Sequence, residues 1–154
     1  MEAATRLVNS LTVPLAEQVL LLPQAAIAEV VRPEPLRQLE HGAPWLRGVF
    51  DWRTEQIPLV SLERMCGEEI GAEGVNRYVV LYALEQIPGL AYYAVEARGI
   101  PRSLRIDSRG LLPGEVDRFE CDIVQSHILI DGEHAFIPNL AVIERSIRAQ
   151  LQRL

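Results

Sequence analysis

The chain has 154 residues, with 15 basic and 21 acidic side chains and a net charge of −6, a size that suits one domain or two small subdomains on a shared core. Every cationic side chain is arginine, and the absence of lysine excludes the P-loop lysine and the Schiff-base and Ser-Lys mechanisms. The acidic balance, without any basic run, excludes the positive footprint that nucleic acid demands.

Hydrophobic residues make up 49% of the chain and charged residues 23%, the balance of a globular protein. The N-terminus lacks the basic region and continuous apolar run of a signal peptide. The most apolar stretch, 19–31, is interrupted by Pro23, Gln24 and Glu29 and is too short to cross a bilayer. Short apolar runs punctuated by Gly and Pro predict small sheets or barrels rather than a βαβ plan. In chain order the predicted strands are 6–13, 19–22, 29–32, 45–52 and 57–62, then 77–84, 90–95, 103–106, 123–130 and 134–137. Between the fourth and fifth, Arg53, Thr54, Glu55 and Gln56 make a glycine-free turn. Asp131-Gly132 joins the last two strands and is a strong hairpin signal, because both turn positions need positive φ.

Helices are few. The stretch 62–66 predicts one short turn of helix, stopped by Gly67. From Leu140 onward the apolar residues Leu140, Ile143, Ile147, Leu151 and Leu154 fall at steps of three and four. They mark one face of an amphipathic helix, with Asn139 as N-cap and Arg148 and Arg153 near its C-terminal end. The acidic, glycine-bearing stretch 67–75 divides the chain near its middle, between expected halves 14–69 and 76–140.

Candidate chemistry is sparse. Cys66 and Cys121 lie far apart without a CxxC partner and are expected to be reduced thiols of a cytosolic protein. A two-residue turn at Asp131-Gly132 pairs His134 with Leu129 and makes His127 its diagonal neighbour. Two histidines fall short of the three or four ligands of a zinc site. The glycines Gly67, Gly71 and Gly74 are accompanied by Glu68, Glu69 and Glu73, which repel phosphate, so 67–75 reads as a solvated acidic loop. Neither Ser61 nor Ser126 sits in a nucleophile elbow, and Ser126 and His127, adjacent on a strand, point to opposite faces. Trp45 and Trp52 also face opposite sides of a regular strand, which places one in the core and leaves the other for a contact surface or for partial cover by loops.

The stretch 45–62 resembles the signature of the CheW-like domain, the adaptor of bacterial chemotaxis arrays. Gly48, Asp51, Trp52, Arg53, Ile57, Pro58, Leu59, Val60 and Leu62 match in register. The short helix ending at Gly67 matches too, as do the segment 27–31 before Pro33, Pro35 and Pro44, the strand pair 78–84 and 90–95, and the last hairpin 128–140. The resemblance covers almost the whole chain and implies a single CheW-like domain, 1–154. It implies two five-stranded SH3-like barrel subdomains on a shared core with a C-terminal helix over 140–154. It implies no catalysis and no cofactor. Its implied function is adaptor work, bridging a methyl-accepting chemoreceptor and a chemotaxis-type histidine kinase in the cytoplasm, without membrane insertion.

Partner contacts are expected at Asp51, Trp52, Arg53, Glu55 and Ile57, around the turn where a guanidinium can present its fork; the local competitor for Arg53 is a salt bridge to Asp51 or Glu55. The family's glycine after the arginine is Thr54 here, and its strand aspartate is Ser61. The run 57–63 resembles that of the ChpC-like accessory adaptors of type IV pilus (twitching) systems, and the departures predict a differently shaped loop that partners of the usual loop fit poorly. Two other readings remain: a small metal-dependent β-barrel enzyme using His127 and His134, and a homo-oligomeric structural domain using the C-terminal apolar stripe.

Overall fold

The computed structural model describes residues 7–85, 87–107, 111–114 and 121–152. Among the described residues there are eleven strands: β1 Leu7–Pro14, β2 Val19–Pro23, β3 Ile27–Val31, β4 Leu46–Trp52, β5 Glu55–Val60, β6 Arg77–Tyr82, β7 Tyr92–Ala97, β8 Arg102–Asp107, β9 Leu112–Pro113, β10 Val124–Ile130 and β11 Glu133–Pro138. The helices are α1, Leu62–Met65, and α2, Leu140–Leu151. All ten predicted strands have counterparts, and only the two-residue β9 was not expected. β7 begins two residues later than predicted, because Leu90 donates its N–H to Ile87 O within the preceding turn.

The strands form two sheets, β8-β1-β2-β11-β10-β9 and β3-β6-β7-β5-β4, the two SH3-like subdomains. The expected division at the acidic loop is corrected by this order. Halves 14–69 and 76–140 would separate β5 from β6 and β7, yet all three share a sheet. β5 pairs in parallel with β7 through Leu59 and Ala94, and parallel neighbours require a crossover, which α1, the acidic loop and β6 supply. The other sheet gathers β1 and β2 from one end of the chain and β8 to β11 from the other, joined by a parallel bridge between Phe136 and Leu20.

Alternation along the strands explains how the sheets pack. On β6, Tyr78 and Val80 turn into the interior of their own barrel with Phe50, Trp52, Ile57, Leu59 and Ala94. Val79 and Leu81 turn the other way, into a cluster shared with Val13, Leu20, Leu22 and Phe136 of the first barrel. On β2 the pattern repeats: Leu21 joins Ile106, Ile128 and Ala135 inside the first barrel.

Special backbone positions fall where the chain must turn or cross. Asp131 and Gly132 both have positive φ, 50° and 82°, the turn that dipeptide favours. At Gly48 (φ 149°) a Cβ would lie 2.7 Å from Arg37 O, and there the 37–49 backbone pair crosses β4 with bonds of 2.7 and 3.0 Å.

The two cysteines are not free. Cys66, just after α1, and Cys121, just before β10, are joined in a disulfide with Cα atoms 5.4 Å apart. The expectation of reduced thiols is corrected for a physical reason: partners 55 residues apart in sequence meet only because the two barrels pack together, and no local spacing encodes that.

Asn139 caps α2, its Oδ1 accepting from Val142 N at 3.2 Å. Ile143 and Ile147 are fully buried, and Leu140 and Leu151 pack against the shared core; Leu154 and Arg153 lie outside the described residues. Of the described stripe, Ile143 and Ile147 are spent inside the molecule, and Leu140 and Leu151 are half-buried. On the same helix Glu144 is fully buried. Its Oε1 accepts from Leu84 N and Glu85 N at 2.8 and 2.9 Å, and its Oε2 accepts from the Tyr93 hydroxyl at 3.0 Å. Burial, with the Glu144 carboxylate, pushes the Tyr93 hydroxyl far above the usual tyrosine range, so it stays a donor. Glu144→Ala strands three donors, and the expected loss is on the order of 3 kcal/mol. It is read as a lower urea midpoint at unchanged slope.

Candidate functional site

The β4–β5 hairpin is closed by Trp52 opposite Glu55, leaving Arg53 and Thr54 as a two-residue turn. Arg53, not Thr54, carries the positive φ, at 54°, so the backbone strain of the turn falls on the arginine. Its side chain lies back over the barrel. The Arg53 guanidinium lies 4.4 Å from the Trp52 ring centroid, within cation–π range, and 3.7 Å from Glu29 Oε1 on β3. Trp52 Nε1 donates to the same Glu29 oxygen at 2.9 Å. From Trp52 an aromatic ladder continues through Tyr92, at 4.8 Å between centroids, to Tyr82, at 5.6 Å. Tyr82 and neighbouring Leu84 are both exposed, so the ladder runs from a barrel interior to the surface.

Of the expected contact residues, Asp51, Arg53 and Glu55 are exposed. Trp52 and Ile57 are only 6% and 2% exposed, inside the barrel, and are corrected as direct contacts: the alternation that exposes Asp51 turns its neighbours inward. The ion pair of Arg53 goes to Glu29 rather than to Asp51 or Glu55. Glu29, Tyr82 and Tyr92 were missed, because they reach the hairpin from other strands. Trp45 is half-buried against the shared core. Ser61 is fully buried and caps α1, its Oγ accepting from Arg64 N at 3.2 Å; it offers partners no surface.

A second polar region lies beneath the acidic loop. Glu68, Glu69 and Glu73 do face solvent, but the loop backbone is tied down by arginines. Arg47 Nη2 and Arg64 Nε donate to Ile70 O at 3.0 and 2.7 Å. Arg98 donates to Gly71 O and Glu73 O. Under these sit buried carboxylates: Glu96, 2.9 Å from Arg47 Nε, and Glu63, whose Oε2 accepts from Ala16 N at 2.8 Å and lies 3.6 Å from Arg98 Nε. Burial pushes the Glu96 carboxyl above the usual glutamate range, only partly opposed by Arg47 and Arg98. The arrangement holds loops; it exposes no nucleophile beside a base.

Leu129 and His134 pair as expected, with His127 opposite Phe136. Among the described residues no group of three or more His, Cys, Asp or Glu side chains is placed to hold a metal ion. No described helix is long and apolar enough to cross a membrane.

The sequence matches the family described as the CheW-like domain over residues 9–147. The chain belongs to the CheW-like domain family. Among solved structures it is similar to the scaffolding protein TtCheW from Thermoanaerobacter tengcongensis, with a TM-score of 0.72 at 19% identity, over 91% of this chain and 89% of that one. At that identity the likeness concerns the fold. No curated protein sequence matches.

In the CheW-like frame, the turn and the buried Glu96 carboxyl make separate predictions. Arg53→Gly and Arg53→Ala both remove the guanidinium, but glycine accepts positive φ without the Cβ penalty; the glycine variant is expected to be about 1 kcal/mol more stable than the alanine variant. Equal thermal midpoints would place the strain elsewhere. Because the folded state raises the Glu96 pKa, it binds that proton more tightly than the unfolded chain does. The resulting stability is present below the ordinary glutamate pKa and is lost as pH rises through the folded value. Relative to Glu96→Gln, the wild-type protein is therefore expected to lose stability as pH rises from about 4 toward neutrality, given an unperturbed glutamate pKa of about 4.3. Parallel urea-midpoint profiles for the two proteins would contradict it.

Proposed function

We propose that this chain is a non-catalytic adaptor of bacterial chemosensory signal transduction, a cytoplasmic protein that links a methyl-accepting chemoreceptor to a chemotaxis-type histidine kinase. Membership of the CheW-like domain family carries the reading. The scaffolding role named for TtCheW supports it, and so does the exposed set Asp51, Arg53 and Glu55 at the β4–β5 turn. The proposed contact surface is the β4–β5 turn, with Asp51, Arg53 and Glu55 outermost and Trp52 and Ile57 as the buried support that fixes them. Arg53 is held over Trp52, so its remaining N–H donors meet a partner carboxylate or carbonyl at little cost in side-chain entropy.

The pathway we propose is the pilus type. The motivation is Thr54, which builds a turn with positive φ on arginine where the family pattern has Arg-Gly. Ser61, being a buried cap, drops out of that argument. Partners shaped to the usual turn would meet this one in a different geometry.

Analytical sedimentation with a receptor signalling tip and a chemotaxis-type kinase tests the adaptor role. Complexes are expected with the wild-type protein, and about tenfold weaker ones with Arg53→Ala at a nearly unchanged thermal midpoint, since an exposed pair adds at most about 1 kcal/mol to stability. No binding to either partner at tens of micromolar would refute the role. For the pathway, expression in a strain lacking its own flagellar adaptor is expected not to restore swimming chemotaxis, and full rescue would refute the pilus assignment.

A further inference from the structure

The disulfide between Cys66 and Cys121 has no part in the contact surface, and its position is informative. Cys66 ends α1, which follows β5 of one barrel. Cys121 precedes β10 of the other. The bond therefore crosses the junction between the two subdomains. Both half-cystines are half-buried and pack against the rim of the shared core, within reach of a small thiol.

The junction does not depend on this bond for its existence. Val13, Leu20, Leu22, Val60, Val79, Leu81, Val95 and Phe136 already join the barrels through the shared core. Polar ties cross beside it: Glu63 accepts from Ala16 N, and Arg98 N donates to Pro14 O at 2.8 Å. A chain of this length buries enough apolar surface to fold without a covalent staple. Small disulfide-framed domains differ in this, because there the bonds replace a core.

We propose that Cys66 and Cys121 form a reversible redox site, a thiol–disulfide clamp across the inter-barrel junction. It is read by low-molecular-weight thiols and disulfides of the glutathione class. The clamp does not rest on which receptor or kinase the protein binds.

In the reducing direction, the thiolate of one small thiol attacks a cystine sulfur. A mixed disulfide forms and the other cysteine leaves as a thiolate that takes up a proton. A second small thiolate then attacks the mixed disulfide, releasing the remaining cysteine thiolate and a small-molecule disulfide. Two electrons pass from two small thiols to the protein bond, and reoxidation is the reverse exchange. The reduced state keeps the folded core but loses the one covalent tie between α1 and the entry to β10, so local opening at those two places becomes easier.

The full chain, equilibrated in buffers of graded reduced-to-oxidised glutathione ratio and then alkylated, gives the redox state by intact mass. Hydrogen exchange on the same samples gives the local response. A cooperative, fully reversible passage between no alkylated cysteine and two is expected, without loss of folded structure. Amides in 62–68 and 121–126 are expected to exchange about tenfold faster in the reduced form, with those of 50–57 unchanged. The double variant Cys66→Ser/Cys121→Ser is expected to show the reduced pattern at every ratio. Three results would overturn the proposal: two alkylatable thiols even in oxidised glutathione, a bond that yields only when the protein is unfolded, or identical exchange in both redox states.

Discussion

Strands that are apolar on both faces cannot be satisfied by one barrel. On β2, β6 and β7 successive residues point alternately into a barrel interior and away from it, and both directions are hydrophobic. The outward set needs a second apolar surface, and the other barrel, with α2, provides it. This constraint joins the subdomains, turns the Ile143–Ile147 face of α2 inward and sets the buried carboxylates where they are. Glu144 satisfies backbone donors of the β6–β7 hairpin that α2 covers; Glu63 satisfies the Ala16 amide beside the junction. A carboxylate can be buried there because strong donors surround it.

The absence of lysine acquires a structural counterpart in the same place. Arg47, Arg64 and Arg98 reach backbone carbonyls of the acidic loop, and Arg47 and Arg98 also face buried carboxylates. A guanidinium does both at once, since its donors fan out in a fixed plane, whereas an ammonium is a compact, strongly hydrated point charge. The loop's glutamates stay in water while its carbonyls are held from beneath. That combination orders the crossover between β5 and β6 and, through it, the sheet that carries the β4–β5 turn.

Local patterns were legible in the sequence, and long-range partners were not. Short apolar runs punctuated by Gly and Pro located the strands, Asp131-Gly132 announced its hairpin, and Asn139 announced the start of α2, because each signal lies within a few residues of what it specifies. Sheet membership was misread. The acidic loop is the most visible break in the chain, but a break in composition says nothing about whether flanking strands pair across it, and β5 pairs with β7. The cysteines failed for a related reason: their meeting is a product of tertiary packing. At the candidate site the hairpin and Arg53 were visible, whereas Glu29, Tyr82 and Tyr92 were not, since β3, β6 and β7 bring them in from elsewhere. Ser61 stood out only as a departure from the family's strand aspartate and is a helix cap inside the fold.

The central proposal is that the double barrel binds partners through the β4–β5 turn. Mapping amide chemical-shift changes on the labelled full chain, as a chemotaxis-type kinase or a receptor signalling tip is titrated in, addresses it most directly. The expected footprint with at least one of these partners is centred on Asp51, Arg53, Thr54 and Glu55 and extends to Glu29 and Tyr82, with the shared core around Val79 and Leu81 unmoved. A footprint confined to the β10–β11 hairpin around His127 and His134, with the β4–β5 turn silent toward both partners, would contradict the account.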